Sequence, residues 1–144
     1  MKFFEDCPTL NDIGFDLSMQ KFKSSGSVAL DDDKAVKLIY NTFNVVDKLH
    51  TARIILGDIN PSNLLYNPKS NDPIIIDIDS VQIGQFKCLV CSPEYIDPLI
   101  QQQGKNITYS EENDIFSIAC ICFQLIIGKN PFWVLTDPLP PPVT

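Results

Sequence analysis

The stretch from Ile115 to Ile127 places eleven apolar residues in thirteen positions, interrupted only by Ser117 and Gln124. A helix that is apolar around almost its whole circumference is stable in water only when other elements cover it. It is too short for the ~20 residues that a membrane-spanning helix requires, so the run predicts a buried core helix. Asn113 or Asp114 is placed to cap its start, and Gly128 with Pro131 beyond to stop it. A chain of 144 residues that is 44% apolar can supply one core of ordinary size around such a helix, but not two.

A second helix follows from periodicity. Val36, Ile39, Phe43, Val46 and Leu49 recur every three or four residues, the mark of one buried face, and Asp31, Asp32 and Asp33 precede them where the helix dipole favours negative charge. Three aspartates could also attract a cation, but capping explains them more simply. From Ile54 to Tyr66 a short apolar run is broken by polar residues and Pro61, which predicts a loop between two small strands. Asn67 to Pro73 is turn-rich and Ile74 to Ile76 is a short β-branched strand, so a hairpin is expected. Residues 80–106 show little periodicity and predict a long irregular segment, a feature that in compact domains is usually functional. Residues 1–30 are expected to be irregular, with one short helix around Phe15 to Phe22. Residues 31–132 form the core, and residues 133–144 form a Pro-rich, extended tail. The fold class expected is mainly α with a small β-hairpin.

Charge and cysteine content exclude several classes of function. Eleven basic residues stand against eighteen acidic ones, and they are scattered, so nothing resembles a nucleic-acid-binding stripe. Five cysteines, with Cys120 and Cys122 inside the apolar run, argue against a disulfide framework and for a reducing compartment. Cys88 and Cys91 form a Cys-x-x-Cys without a second pair, and His50 is the only histidine, which argues against a metal or redox site. Met1 to Pro8 has no apolar core of signal-peptide length. The expected location is cytoplasmic, away from nucleic acid and membrane.

The residues that could carry chemistry are Asp58 and Asn63 on one polar loop, then Asp77 at the end of the following strand, with Asp79 two residues on. Two carboxylates and a carboxamide on a hairpin offer hard oxygen ligands for Mg²⁺ and one group to accept a proton. The stretch Leu49-His50 through Gly57-Asp58-Ile59-Asn60-Pro61-Ser62-Asn63-Leu64-Leu65 resembles the catalytic loop of the protein kinase family, whose form is H-R-D-L-x-x-x-N. Ile74-Ile75-Ile76-Asp77-Ile78-Asp79 is similar to the strand ending in the D-F-G motif, and Ser92-Pro93-Glu94-Tyr95-Ile96-Asp97-Pro98-Leu99 to the end of an activation segment. Ser110 to Ala119, followed by Gly128-Lys129-Asn130-Pro131-Phe132, resembles the buried F helix and its sequel. Gly-Asp-Ile-Asn-Pro-Ser-Asn with Ile-Asp-Ile-Asp-Ser-Val-Gln is similar to a divergent bacterial and phage subgroup.

The resemblance implies a partial kinase large lobe, with residues 1–30 hinge-like and the small lobe absent. It implies ATP and Mg²⁺, with transfer of the γ-phosphoryl group to a protein Ser/Thr hydroxyl. Asp58 would orient and deprotonate that hydroxyl, while Asn63 and Asp77 would hold Mg²⁺ on the nucleotide, Asp79 being the alternative ligand. Asp114 would brace the catalytic loop through its backbone amides. Three positions depart from the pattern: Gly57 stands for the Arg before the aspartate, removing a cation that could read a phosphate on the segment; Asn60 stands for a lysine, lowering the expected rate; Leu99 stands for an anchoring glutamate. Partners would be a protein substrate or a chain that supplies the small lobe. Two alternatives remain: an inactive kinase-like fragment serving as an interaction module, and a small-molecule kinase.

Overall fold

The computed structural model describes residues 6–13, 30–78, 81–90, 92–103, 107–127 and 130–134. The expected helix at Phe15 to Phe22, Asp79, Cys91, the Gly128 stop and residues 135–144 of the Pro-rich tail lie outside them. Helix α1 spans Asp32–Thr51, and its start is chemically explicit: the Asp31 carboxylate accepts the backbone N–H of Lys34 at 2.9 Å, with Asp32 and Asp33 in the first turn. That backbone hydrogen bond and the neighbouring Lys34 ammonium hold the Asp31 carboxyl below its ordinary pKa. The helix ends where Arg53 adopts a left-handed φ of 60°, its N–H donating to the His50 carbonyl.

Four strands follow, each of two or four residues. β1 (Ile54–Ile55) pairs antiparallel with β4 (Gln82–Ile83), and β2 (Leu64–Asn67) pairs with β3 (Asp72–Ile75) in the register Leu64 to Ile75. The hairpin is therefore present, but β3 begins at Asp72 and ends at Ile75, and the Ile76 N–H extends the same register by donating to the Asn63 carbonyl at 3.0 Å. Pro73 fits β3 because that strand lies at the sheet's edge. Asn71, at φ 65°, closes the turn and fastens it to α1: it accepts from the Tyr66 hydroxyl at 2.6 Å and donates to the Lys34 carbonyl at 3.1 Å.

The segment expected to be irregular over 80–106 contains β4 and a short helix, α2 (Pro98–Gln101), capped by the Asp97 carboxylate. A two-residue strand and a four-residue helix are too short to carry a periodic signal, and each is set by what it packs against. Helix α3 (Glu111–Ile127) starts earlier than expected, so Asn113 and Asp114 lie in its first turn and are fully buried instead of capping it. Helix α4 (Pro131–Val134) begins under an Asn130 side chain that accepts the Phe132 N–H.

The main core joins Leu38 and Val46 of α1, Leu56 and Ile59 of the following loop, Leu64 and Tyr66 of β2, and Ile118, Ile121 and Leu125 of α3. One expectation for α1 is corrected. Val36 is exposed, while the most buried positions are Ala35, Leu38, Thr42, Val46 and His50, with Ile39, Phe43 and Leu49 packed at the margin. The buried stripe includes two polar residues because each has a partner inside: Thr42 donates to the Leu38 carbonyl, and His50 meets Asp114. Burial pushes the Cys120 and Cys122 thiols up to about 11, as expected of cysteines that act as small hydrophobes.

Helix α3 buries polar groups and exposes apolar ones. Asn113, Asp114, Ser117 and Gln124 face inward, whereas Ile115, Phe123, Ile126 and Ile127 face outward, Ile126 being 62% exposed. Among the described residues no helix is long and apolar enough to cross a membrane. The inward Asp114 carboxylate is the main tie between helix and loop: Oδ2 accepts from Leu56 N–H at 2.8 Å, Oδ1 from Gly57 N–H at 2.8 Å, and a ring nitrogen of His50 lies 2.9 Å from Oδ2.

Two measurements check this packing. Asp114→Asn turns an NH₂ group toward one of these donors and leaves a buried amide unpaired, so it should cost about 3 kcal/mol, seen as a lower urea midpoint at unchanged slope. The outward apolar face of α3 should make the chain associate as its concentration rises, and Phe123→Glu with Ile126→Glu should abolish that association in light scattering.

Candidate active site

The loop between β1 and β2 is built on a side chain at its centre. Asn60 is 8% exposed, and its Oδ1 accepts the N–H groups of Ser62 at 2.9 Å and Asn63 at 3.3 Å, an arrangement that turns the chain back toward β2. Asn63 N–H also reaches the Asn60 carbonyl at 3.1 Å. The turn brings Asn63 to the start of the loop, where its Nδ2 donates to the Asp58 carbonyl at 3.2 Å. At the other end, Gly57 has a φ of 75°, and Asp114 holds its N–H. Asp58 is thus fixed between two anchored residues.

Asp77 arrives from the neighbouring strand. Two residues beyond β3, it takes a left-handed φ of 59°, a conformation that costs a non-glycine residue roughly 1 kcal/mol and persists only where the surroundings impose it. Asp58, Asn63 and Asp77 all line one cavity, whose walls also include Leu56, Ile59 and Ile78. The three residues singled out in the sequence therefore come together. Asp58 Oδ1 is buried and has no hydrogen-bond partner among the described residues. An orphaned carboxylate oxygen is costly unless a cation or a proton donor meets it there, so this donor set fits a hard divalent cation and a hydroxyl.

Beside this cavity lies an aliphatic groove of about 350 Å³ lined by Val45, Leu49, Ile54 and Ile83, and the two spaces share Leu56, Ile75, Ile78 and Val81. Cys88 is buried, and its thiol donates to the Val90 carbonyl at 3.1 Å.

The linear sequence gives His50 no role and makes Gly57 and Asn60 look like losses. In the fold all three contribute. His50 is a partner of Asp114, Gly57 supplies a left-handed turn, and Asn60 caps the loop. The one available signal was His50 itself, a lone imidazole at the end of α1, just ahead of β1 and the polar loop.

Comparison with known proteins gives the arrangement a context. The model of the protein kinase domain matches residues 15–138. The chain is 30% identical over 118 residues to a CDPK-related protein kinase of Daucus carota, covering 78% of this chain and 19% of that protein. It is 24% identical over 116 residues to the serine/threonine-protein kinase pkn3 of Myxococcus xanthus, covering 72% of this chain and 21% of that protein. With calcium-dependent protein kinase 7 of Oryza sativa subsp. japonica it shares 34% identity over 110 residues, covering 72% of this chain and 20% of that protein. The chain spans about a fifth of the length of these curated relatives. Helices around small antiparallel sheets, with Asp58, Asn63 and Asp77 on one cavity, are compatible with part of a kinase fold, and the chain belongs to the protein kinase domain family.

Proposed function

We propose that this chain is the acceptor-side, large-lobe portion of an ATP-dependent serine/threonine-protein kinase. The observation that carries the reading is the convergence of Asp58, Asn63 and Asp77 on one cavity, with a buried and unpartnered Asp58 oxygen. Asp58 receives the proton of the acceptor hydroxyl as the acceptor oxygen bonds to the γ-phosphorus, the bridging P–O bond breaks and ADP leaves. Asn63 and Asp77 would hold the cation, and the Asn63 oxygen is the atom available for it, since the amide nitrogen donates to the Asp58 carbonyl. Bound there, Mg²⁺ would offset the negative charge of the phosphates. The chain's own work is positional: Asn60 and Asp114 fix both ends of the loop, so the Asp58 carboxylate needs no reorganisation when substrate arrives.

In this reading the other half of the nucleotide site is a small lobe seated on this portion. The aliphatic groove beside Asp77 supports it, because an apolar surface of this size next to a polar site suits a protein neighbour more than water. Four cysteines without disulfides among the described residues fit a reducing, cytoplasmic setting. The second reading, an inactive interaction module, is favoured by a single observation: a Cβ at position 57 would lie 2.7 Å from the Cys88 sulfur, so the fold has no room there for the cationic side chain it lacks.

Thermal unfolding with and without Mg²⁺ and ATP distinguishes the two. Binding to the native state should raise the midpoint in natural chain and Asp58→Asn alike, and the Mg²⁺-dependent part should vanish in Asp77→Ala. Asp58→Asn should abolish phosphotransfer at unchanged stability. No midpoint shift at saturating Mg²⁺ and ATP would favour the interaction module.

A further inference from the structure

The two residues assigned to the cation flank one hairpin. Asn63 directly precedes β2 and Asp77 follows the end of β3 by two residues, so the register of the pairing decides whether they meet. That register runs Leu64 to Ile75, Tyr66 to Pro73 and Asn67 to Asp72, and the Ile76 N–H carries it on to the Asn63 carbonyl at 3.0 Å. The Tyr66 N–H points away from β3, to the Pro8 carbonyl at 2.9 Å, so Tyr66 and Pro73 are a non-hydrogen-bonded pair and the proline's missing donor costs nothing. A slip of one residue would bring Pro73 to a place that asks for an N–H and turn the side chains of a strand to the opposite face. It would part Asn63 from Asp77 even with both strands intact.

Register in a hairpin is set at the turn, and this turn contains no glycine. Residues 68–71 read Pro-Lys-Ser-Asn, and the left-handed position falls to Asn71. Asparagine adopts that conformation more readily than most residues, and it brings a donor and an acceptor on one planar group. Asn71 is buried and uses both: Oδ1 accepts from the hydroxyl of the fully buried Tyr66 at 2.6 Å, and Nδ2 donates to the Lys34 carbonyl at 3.1 Å. Its main chain is held as well. The N–H donates to the Asn67 carbonyl at 2.8 Å, and the carbonyl accepts from Asn41 Nδ2 at 3.1 Å, a group that also reaches Asp72 Oδ1 at 2.9 Å.

Lys34 and Asn41 lie about two turns apart on one face of α1, so the turn is fastened to that helix at two points. At the other end of α1, ~24 Å along its axis, His50 meets the Asp114 carboxylate that fixes the start of the Asp58 loop. Loop and hairpin therefore hang from one rigid element.

We propose that Asn71 is a positioning residue for the cation site: from the far end of the hairpin it fixes the register, and the seat on α1, that bring Asn63 and Asp77 together. The length of β2, ~14 Å, separates the turn from Asn63, so Asn71 acts through the strands and touches neither cation nor substrate. The proposal rests on the phosphotransfer reading for the cation, but the register can be tested without one.

Mn²⁺, which suits the same oxygen donors as Mg²⁺, is the probe, its binding to the full chain with ATP present read by paramagnetic resonance. Asn71→Gly keeps the left-handed backbone and deletes both side-chain bonds, and should weaken Mn²⁺ about tenfold. Tyr66→Phe removes only the hydroxyl and should weaken it by a smaller factor, with no further loss when the two are combined. Leu125→Ala, which opens a cavity in the main core, should lower the urea midpoint while Mn²⁺ affinity stays as in the natural chain. The register is read by amide exchange: in Asn71→Gly the Ile76 N–H should speed up about tenfold more than that of Ile121 in α3. Unchanged Mn²⁺ affinity in both hairpin variants, an equal loss in Leu125→Ala, or Ile76 exchange rising only in step with Ile121 would overturn the proposal. A natural chain that binds no Mn²⁺ with ATP would overturn the proposed function and the cation role with it, while Ile76 exchange still decides the register.

Discussion

The arrangement depends on one carboxylate that never meets solvent. Asp114 is fully buried near the start of α3, and a buried charge without partners would cost several kcal/mol. It is tolerated because two backbone N–H groups and the His50 ring surround it, and those partners come from the two neighbouring stretches of chain, α1 and the loop beyond β1. One charge therefore joins α3 to segments more than fifty residues away in sequence. The N–H groups of Leu56 and Gly57 gain a partner inside a protein interior, and the carboxylate gains the donors that offset its burial. Everything downstream, from the left-handed turn at Gly57 to the location of Asp58, starts from this anchor.

A second requirement is directional. Two anionic side chains, Asp58 and Asp77, face one cavity, although their charges repel. The fold keeps them together with constraints that act on backbone: the Asn60 carboxamide inside the loop, the Asn63 link to the Asp58 carbonyl, and the left-handed twist at Asp77. At Asp58 these constraints spare the side chain, so its buried Oδ1 is not committed to a structural hydrogen bond. That division of labour is what a site needs if its charged groups are to be available to a ligand.

Much of this was legible in the sequence, for reasons that can be named. The dense apolar run required α3, and the aspartates before Lys34 marked the start of α1, because both signals are local and are read along one element. Asp58, Asn63 and Asp77 were legible through the spacing of a loop and the end of a strand. Val36 was misplaced because apolar periodicity cannot register polar residues, such as Thr42 and His50, that are buried with partners. The pairing of β1 with β4 and the packing of Cys88 on Gly57 were invisible, since each joins residues about thirty positions apart through elements too short to show a period. The local pattern alone reads Asn113 and Asp114 as caps, because their partners lie on other segments, whereas the family resemblance implies the Asp114 brace on the loop amides.

The polar residues on the inner face of α3 also decide how that helix sits about its own axis. A cylinder of Ile, Leu, Phe and Cys could turn in its socket with little penalty, since one aliphatic group replaces another almost as well. Turning α3 by a single residue, about 100°, would remove Asp114 from the two loop N–H groups, Ser117 from the Tyr95 carbonyl and Gln124 from the Tyr95 hydroxyl, all in one motion. These bonds work as a key in a lock: hydrophobic burial supplies the adhesion, and the hydrogen bonds choose one azimuth among several nearly equivalent ones.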